Sequence, residues 1–170
     1  PDRKVKSLYL DHNNTCYTDH IEGLFDRKKI RFRWYNNDFK NTVLEYKKKT
    51  SIFTKKSKFK VSNFNPCHKN LKSIIKENNF WEISSLLPSC YIFYERSYYN
   101  LIHKNIRLTV DSNISFGESN NLMENLDINS YIVEIKYAFL DDITEIYKIL
   151  NKLDISLSKI SKYVICKERL

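Results

Sequence analysis

The stretch KIRFRWY, Lys29 to Tyr35, decides how the chain is read. Successive side chains of an extended strand point to opposite faces. Ile30, Phe32 and Trp34 therefore share one face, and Lys29, Arg31 and Arg33 share the other. One face suits a core. The other sets guanidinium groups side by side, and unit charges about 6 Å apart repel by roughly 3 kcal/mol at an effective dielectric near 20.

The same period-two alternation recurs in VKSLYLD (5–11), TVLEYKKK (42–49), FTKKSKFKV (53–61), YIFYERSYY (91–99), NIRLTVD (105–111) and SYIVEIKY (130–137). Asn36, Asn37 and Asp38 supply turn chemistry after the opening stretch. Sorting by parity puts Glu45, Lys47 and Lys49 opposite Leu44 and Tyr46. It puts Tyr94 and Arg96 opposite Tyr91 and Phe93, and Arg107, Thr109 and Asp111 opposite Ile106, Leu108 and Val110. Glu134 and Lys136 oppose Val133, Ile135 and Tyr137. Two segments have helical periodicity: HKNLKSIIKENN (68–79) and LDDITEIYKILNKL (140–153). Asp141 or Asp142 is the expected cap of the second, with Glu145 in its first turn. Strands dominate, so the expected class is α+β with a mostly antiparallel sheet.

Composition narrows the partners. The 170 residues are 42% hydrophobic and 14% aromatic, which suits one globular domain. Two glycines exclude a Gly-rich phosphate loop. A net charge of +9 favours an anionic ligand. Cys16, Cys67, Cys90 and Cys166 form no CxxC pair, and His12, His20, His68 and His103 have no metal-ligand spacing. A reducing, cytoplasmic compartment is expected, and no apolar run is long enough to span a membrane. The chain starts at Pro1, from which a missing N-terminal piece is expected. Trp34, Trp81, Tyr98 and Tyr99 are expected in the core, with stacking on an adenine as the alternative.

An ordinary half-solvated sheet mixes Thr, Ser, Gln, Glu and Lys on its wet face. Here arginine recurs near mid-strand, at Arg31, Arg33, Arg96 and Arg107. Its planar fork of donors matches phosphate oxygens in pairs. Several such strands curled together would aim the forks into one lumen. That arrangement favours a chain of phosphates.

The ordered motifs KIRFRWY, LEYK, KKSKF, YERSYY, IRLTVD, VEIKY and SKYVICK resemble the VTC domain, the polyphosphate polymerase domain of the CYTH, or triphosphate tunnel metalloenzyme, superfamily. SLYLDHNNTCYTDHIEG is similar to the family's opening segment, so the resemblance runs from about Ser7 to Lys167. It implies an antiparallel β tunnel barrel with a few flanking helices. It implies phosphate contacts from Arg31, Arg33, Lys47, Lys56 (Lys55 being one register away), Arg96, Arg107 and Lys162, with Arg33 and Lys162 the catalytic residues. Glu134 is the implied ligand of a divalent metal, Mn²⁺ or Mg²⁺. The family's glutamate- and lysine-bearing first strand has no counterpart in PDRKVK before Ser7, so a tunnel domain lacking that strand is expected. The implied reaction passes the terminal phosphate of ATP to a polyphosphate chain. The alternatives are a triphosphatase, a non-catalytic triphosphate or polyphosphate sensor, and a nucleic-acid-binding basic domain. Nucleic acid is not the expected partner.

Overall fold

The computed structural model describes residues 2–66, 71–101, 105–118, 126–128, 130–138 and 140–170. The strands are β1 (Arg3–Asp11), β2 (Arg27–Tyr35), β3 (Asp38–Thr50), β4 (Phe53–Lys60), β5 (Leu87–Asn100), β6 (Ile106–Glu118), β7 (Leu126–Ile128) and β8 (Ile132–Tyr137). The helices are α1 (Thr15–Ile21), α2 (Leu71–Glu77), α3 (Leu140–Lys152) and α4 (Lys162–Arg169), with a 3₁₀ turn at Trp81–Ile83. All seven alternating segments are strands. The periodicity over 68–79 yields α2, although Cys67 to Asn70 lie outside the described residues. Asp142 sits within the first turn of α3 rather than at its cap, because the helix already begins at Leu140. His103 also lies outside the described residues.

The strands make one curled antiparallel sheet, a half-barrel ordered β4-β3-β2-β1-β5-β6-β7, with β8 also on β6. β7 and β8 share one edge of β6: β7 pairs with Ile114 to Phe116, and β8 with Ile106 to Asp111. Among the described residues β4 pairs only with β3 and β7 only with β6. The expected closed tunnel is thus an open trough within these residues.

The face bearing Phe32 and Trp34 holds the core. Phe32, Trp34, Leu8, Leu44 and Tyr91 are buried there with Val61, Phe64 and the α2 residues Leu71, Ile74 and Ile75. Phe64 lies 5.0 Å from Phe32 and 5.2 Å from Trp34, ring to ring. The Tyr91 hydroxyl donates to the Pro66 carbonyl, which fastens the loop before α2. Farther along, α3 covers the same side of β6 and β8 through Ile146 and Leu150 against Ile106 and Ile135. Trp34 therefore meets its core expectation. Trp81 and Tyr99, 60% and 56% exposed, do not: they lie on a surface turn and at the end of β5. Tyr98 is also exposed and stacks under the Arg3 guanidinium.

Three irregularities set the phase of the sheet, and in the first β2 and β3 shift register between Arg33 and Tyr35. β1 and β5 shift register between Tyr9 and Leu10. β5 and β6 shift between Phe93 and Glu95, where Phe93 pairs with Ser115 but Glu95 pairs with Ser112. β6 thus carries one extra residue there, a β-bulge. Asn113 within it has φ 49°, a left-handed value that Asn tolerates better than most residues, and its side-chain amide donates to Glu95.

One end of the trough is plugged. Asp11, 4% exposed, accepts from the backbone N–H groups of Cys16 and Tyr17 in α1 and from the Tyr163 hydroxyl of α4. The Tyr163 ring stacks on Tyr9 at 4.9 Å. Cys16, Cys90 and Cys166 are free and buried around this plug, and burial pushes the Cys16 thiol up to about 12. Among the described residues no helix is long and apolar enough to cross a membrane. Asp11→Ala would take the acceptor from the Cys16 and Tyr17 N–H groups and from the Tyr163 hydroxyl, which keeps Ser89 as a partner. A loss on the order of 3 kcal/mol is expected in urea unfolding, because hydrogen bonds to a buried charge are among the strong ones.

Candidate phosphate-binding trough

Register carries the parity of one strand to the next. Ser7 pairs with Arg33 and Tyr9 with Arg31. Arg31 pairs with Glu45 and Lys29 with Lys47. Lys47 pairs with Lys56 and Glu45 with Lys58. On the other flank Arg96 pairs with Asp111, and Thr109 with Glu134. The charged sets of β2, β3, β4, β5, β6 and β8 therefore share the face opposite the Trp34 core. Lys56 faces the trough, while Lys55, paired with Lys48, faces away.

Two carboxylates organise the cations. Glu45, 5% exposed, accepts from Arg31 Nε at 2.8 Å and Nη2 at 2.5 Å. Arg33 Nη1 approaches it at 3.4 Å, Lys56 at 2.8 Å and Lys58 at 3.9 Å. Burial would push this carboxyl up, but Arg31, Arg33 and Lys56 hold it down at about 2. Asp111, fully buried, accepts from Arg96 at 2.6 and 2.8 Å and from Lys162 at 2.5 Å. Against its burial, Arg96 and Lys162 hold its carboxyl below the usual range.

Arg33 joins the two clusters. It is 8% exposed, and its Nη2 donates to the Tyr94 hydroxyl at 3.1 Å. Arg96 and Lys162 lie over the Tyr94 ring at 5.2 and 4.9 Å, and Arg31 lies over Tyr9 at 5.5 Å. These ring faces stabilise the cations set over them.

Of the residues expected from sequence, Arg31, Arg33, Lys56, Arg96, Lys162 and Glu134 meet in this network. Lys162 enters from the first position of α4, not from a strand. Lys47 and Arg107 share the face but are exposed and, among the described residues, stand outside the ion pairs. Glu134 is half-exposed and contacts Arg96 at 3.7 Å and Lys136 at 3.3 Å, leaving its carboxylate within reach of solvent. Parity put Glu45 and Asp111 on charged faces without giving them a role, and Ser7, Tyr9 and Lys58 were given none either. Parity had already set Tyr94 beside Arg96. The forks of Arg31 and Arg96 are closed on Glu45 and Asp111, so an anion on this face would meet their remaining charge and the ammonium groups of Lys47, Lys56 and Lys58.

Glu45 also sets acid sensitivity. Its folded pKa lies below the ordinary carboxylate value, so its stabilisation is present above that value and is lost as pH falls toward about 2. The melting temperature should drop between roughly pH 5 and pH 2. Glu45→Gln should cost about 3–5 kcal/mol at neutral pH, as when one partner of a buried ion pair is removed. It should also flatten the acid limb of a differential scanning calorimetry series.

The fold has known counterparts. A candidate adenylate cyclase of Bacillus halodurans superposes with a TM-score of 0.61 at 13% identity, over 95% of this chain and 80% of that one. The PH1819 protein of Pyrococcus horikoshii OT3 superposes with a TM-score of 0.57 at 14% identity, over 99% of this chain and 86% of that one. Comparison with curated protein sequences finds no match. The sequence profile of the VTC domain matches residues 1–170. With a match over its whole length, the chain belongs to the VTC domain family.

Proposed function

We propose that the trough binds the phosphates of ATP and of a polyphosphate chain, and that it transfers the terminal phosphate of one to the end of the other. Family membership supports a nucleotide- or polyphosphate-related function. The observation that carries the finer reading is the position of Arg33. It is buried between Glu45 and Tyr94, so one cation network runs unbroken from Lys56 on β4 to Lys162 on α4.

In the transfer, a terminal oxygen of the chain attacks the γ-phosphorus of ATP. The bond from that phosphorus to the β,γ-bridging oxygen breaks, and ADP leaves. Such a step needs alignment and charge neutralisation more than covalent help. Arg31 and Arg33 sit on adjacent inward positions of one strand and suit the non-bridging oxygens of neighbouring phosphates. Lys162, held by Asp111 and Tyr94, would neutralise charge on the leaving group. Arg96, locked by two bonds to Asp111, fixes the opposite wall. Lys47 and Arg107 extend the grip where the trough opens.

A divalent ion fits the donor chemistry through Glu134, whose carboxylate offers hard oxygens at the solvent side of the trough. Mg²⁺ and Mn²⁺ commonly take one or two carboxylates and leave the other positions to phosphate and water. Among the described residues no three ligating side chains converge, so the ion would arrive with the phosphates. When bound, it would neutralise charge on bridging and terminal phosphate oxygens.

Arg33→Ala should weaken tripolyphosphate binding by about 100-fold in calorimetric titration, matching loss of a desolvated charge contact. Wild-type affinity in a folded variant would overturn the reading. Glu134→Gln should keep tripolyphosphate affinity and lose metal-dependent turnover. The turnover assay follows γ-labelled ATP into polyphosphate. Tight binding with no labelled product from the unaltered chain would favour a sensor, and label released as free phosphate would favour a triphosphatase.

A further inference from the structure

The three most exposed large apolar side chains among the described residues are Ile52, Phe25 and Phe53, at 83, 76 and 74%. All three stand at one end of the sheet. Ile52 occupies the two-residue turn between β3 and β4, and Phe53 faces Thr50 in the last pair of that hairpin. Phe25 lies in the connection that enters β2 at Arg27, whose partner is Lys49 of the same hairpin. Tight hairpin turns favour Gly, Asn and Asp, so a β-branched aliphatic residue at this apex has no local reason to be there. Trp81, on the surface turn after α2, joins the rim. With Tyr46, Phe53, Phe59 and Phe80 it lines a groove of about 840 Å³ on the core side of the hairpin.

Cations back this apolar rim. Lys28 pairs with Lys48, and Lys48 with Lys55, so three exposed ammonium groups cross the sheet in one row. They share the face of Leu44 and Tyr46 and point away from the trough, unlike Lys47, Lys49 and Lys56. Like charges directly opposite one another destabilise a sheet. Between Tyr46 and Lys60 the sequence has seven lysines and no Asp or Glu. Among the described residues Lys28, Lys48 and Lys55 have no ion-pair partner. Glu22 and Asp26 stand in the connection with Phe25, which leaves the hairpin as the basic half of this end.

The order in depth points to the partner. The lysine row lies two residues behind the Thr50–Phe53 pair, about 7 Å along the strands. A bilayer carries anionic headgroups outside and hydrocarbon beneath, and peripheral segments seat their apolar side chains about 5–10 Å into that boundary. Trp favours the same boundary. Ile52 and Phe25 lie outside the groove, so a peptide held in it would leave both in water. A lipid surface covers them together with Phe53 and Trp81.

We propose that this end of the protein docks on an anionic lipid bilayer, with Ile52, Phe53, Phe25 and Trp81 entering the headgroup boundary and Lys28, Lys48 and Lys55 meeting the anionic headgroups. The surface uses none of the residues assigned to phosphate transfer, so it stands whether or not that reading does. Docking of this kind is reversible and weakens with salt.

The test is flotation of the chain with vesicles of phosphatidylcholine alone and of equimolar phosphatidylcholine and phosphatidylserine. The wild-type chain should bind the mixed vesicles about tenfold more tightly than the neutral ones. Ile52→Asn/Phe53→Thr and Lys48→Gln/Lys55→Gln should each weaken binding to the mixed vesicles about tenfold. Lys47→Gln/Lys56→Gln removes the same charge from the trough face of the same hairpin and should stay within about twofold of wild type. Trp34 is buried, so a blue shift of tryptophan fluorescence on vesicle addition, and its quenching by brominated lipid, report Trp81. Both should vanish in Trp81→Phe, a readout that keeps the hairpin intact and decides the matter if the paired variants fold poorly. A wild-type chain that fails to float would overturn the proposal, as would hairpin variants that float like wild type. Equal losses in the two lysine pairs would reduce the effect to net charge and also overturn it. Self-association lost in Ile52→Asn/Phe53→Thr would reassign the face to a second copy, and binding of poly-glutamate in place of vesicles would reassign it to an acidic protein; either result sinks the bilayer reading.

Discussion

One buried carboxylate shared among several cations is the constraint on which the site depends. Glu45 is engaged by Arg31, Arg33, Lys56 and, at longer range, Lys58. A single negative charge cannot neutralise that set, so positive potential remains and is focused into the curve of the sheet. The carboxylate nevertheless fixes where each cation sits. It offsets one of their charges and leaves the rest, a surplus that suits the anion site proposed above. Asp111 repeats the arrangement with Arg96 and Lys162 on the other flank.

Such a face is unfavourable by itself, and the opposite face compensates. Trp34, Phe32, Tyr91 and Leu8 are each at most 1% exposed. They sit on the same strands as Arg31, Arg33, Tyr94 and Ser7. β2 therefore couples inward charges to outward anchors in consecutive residues, and β1 and β5 do the same with the inward polar groups Ser7 and Tyr94. The aromatic cluster with Phe64 and α2 holds the strands in register, and register aligns the cations. The Asp11–Tyr163 link does the same for α4, without which Lys162 would not reach Asp111.

Much of this was legible from residue order. Alternation in KIRFRWY, LEYK, YERSYY and VEIKY gave strands and their two faces, because a half-buried strand writes its burial into the sequence with period two. The helical stripe of LDDITEIYKILNKL gave α3 for the same reason at period 3.6. Other features left a weaker trace. Helix α1 has Cys16 as its one buried residue and is held by the distant carboxylate of Asp11, so its short sequence carries little periodicity. Trp81 and Tyr99 are apolar by composition yet lie at a turn and a strand end, where composition does not report exposure. The counter-ion roles of Glu45 and Asp111 depend on register between strands, which a single-strand parity sort does not contain.

The bulge at Asn113 has a consequence for how this chain can change length. Ahead of it, Arg107, Thr109 and Asp111 are odd-numbered trough residues; beyond it, the side chains paired into the same half of the sheet are even-numbered, Ile114 and Phe116 beside Ile92. Deleting that one extra position would invert the proximal half of β6. Leu108 and Val110 would then turn toward the trough, and the Arg107 and Asp111 side chains would be driven into the apolar packing under α3. A single-codon deletion at Asn113 is thus equivalent to losing Asp111, the anchor of Arg96 and Lys162, together with Arg107, while an indel in an exposed connection leaves the phase of every strand untouched.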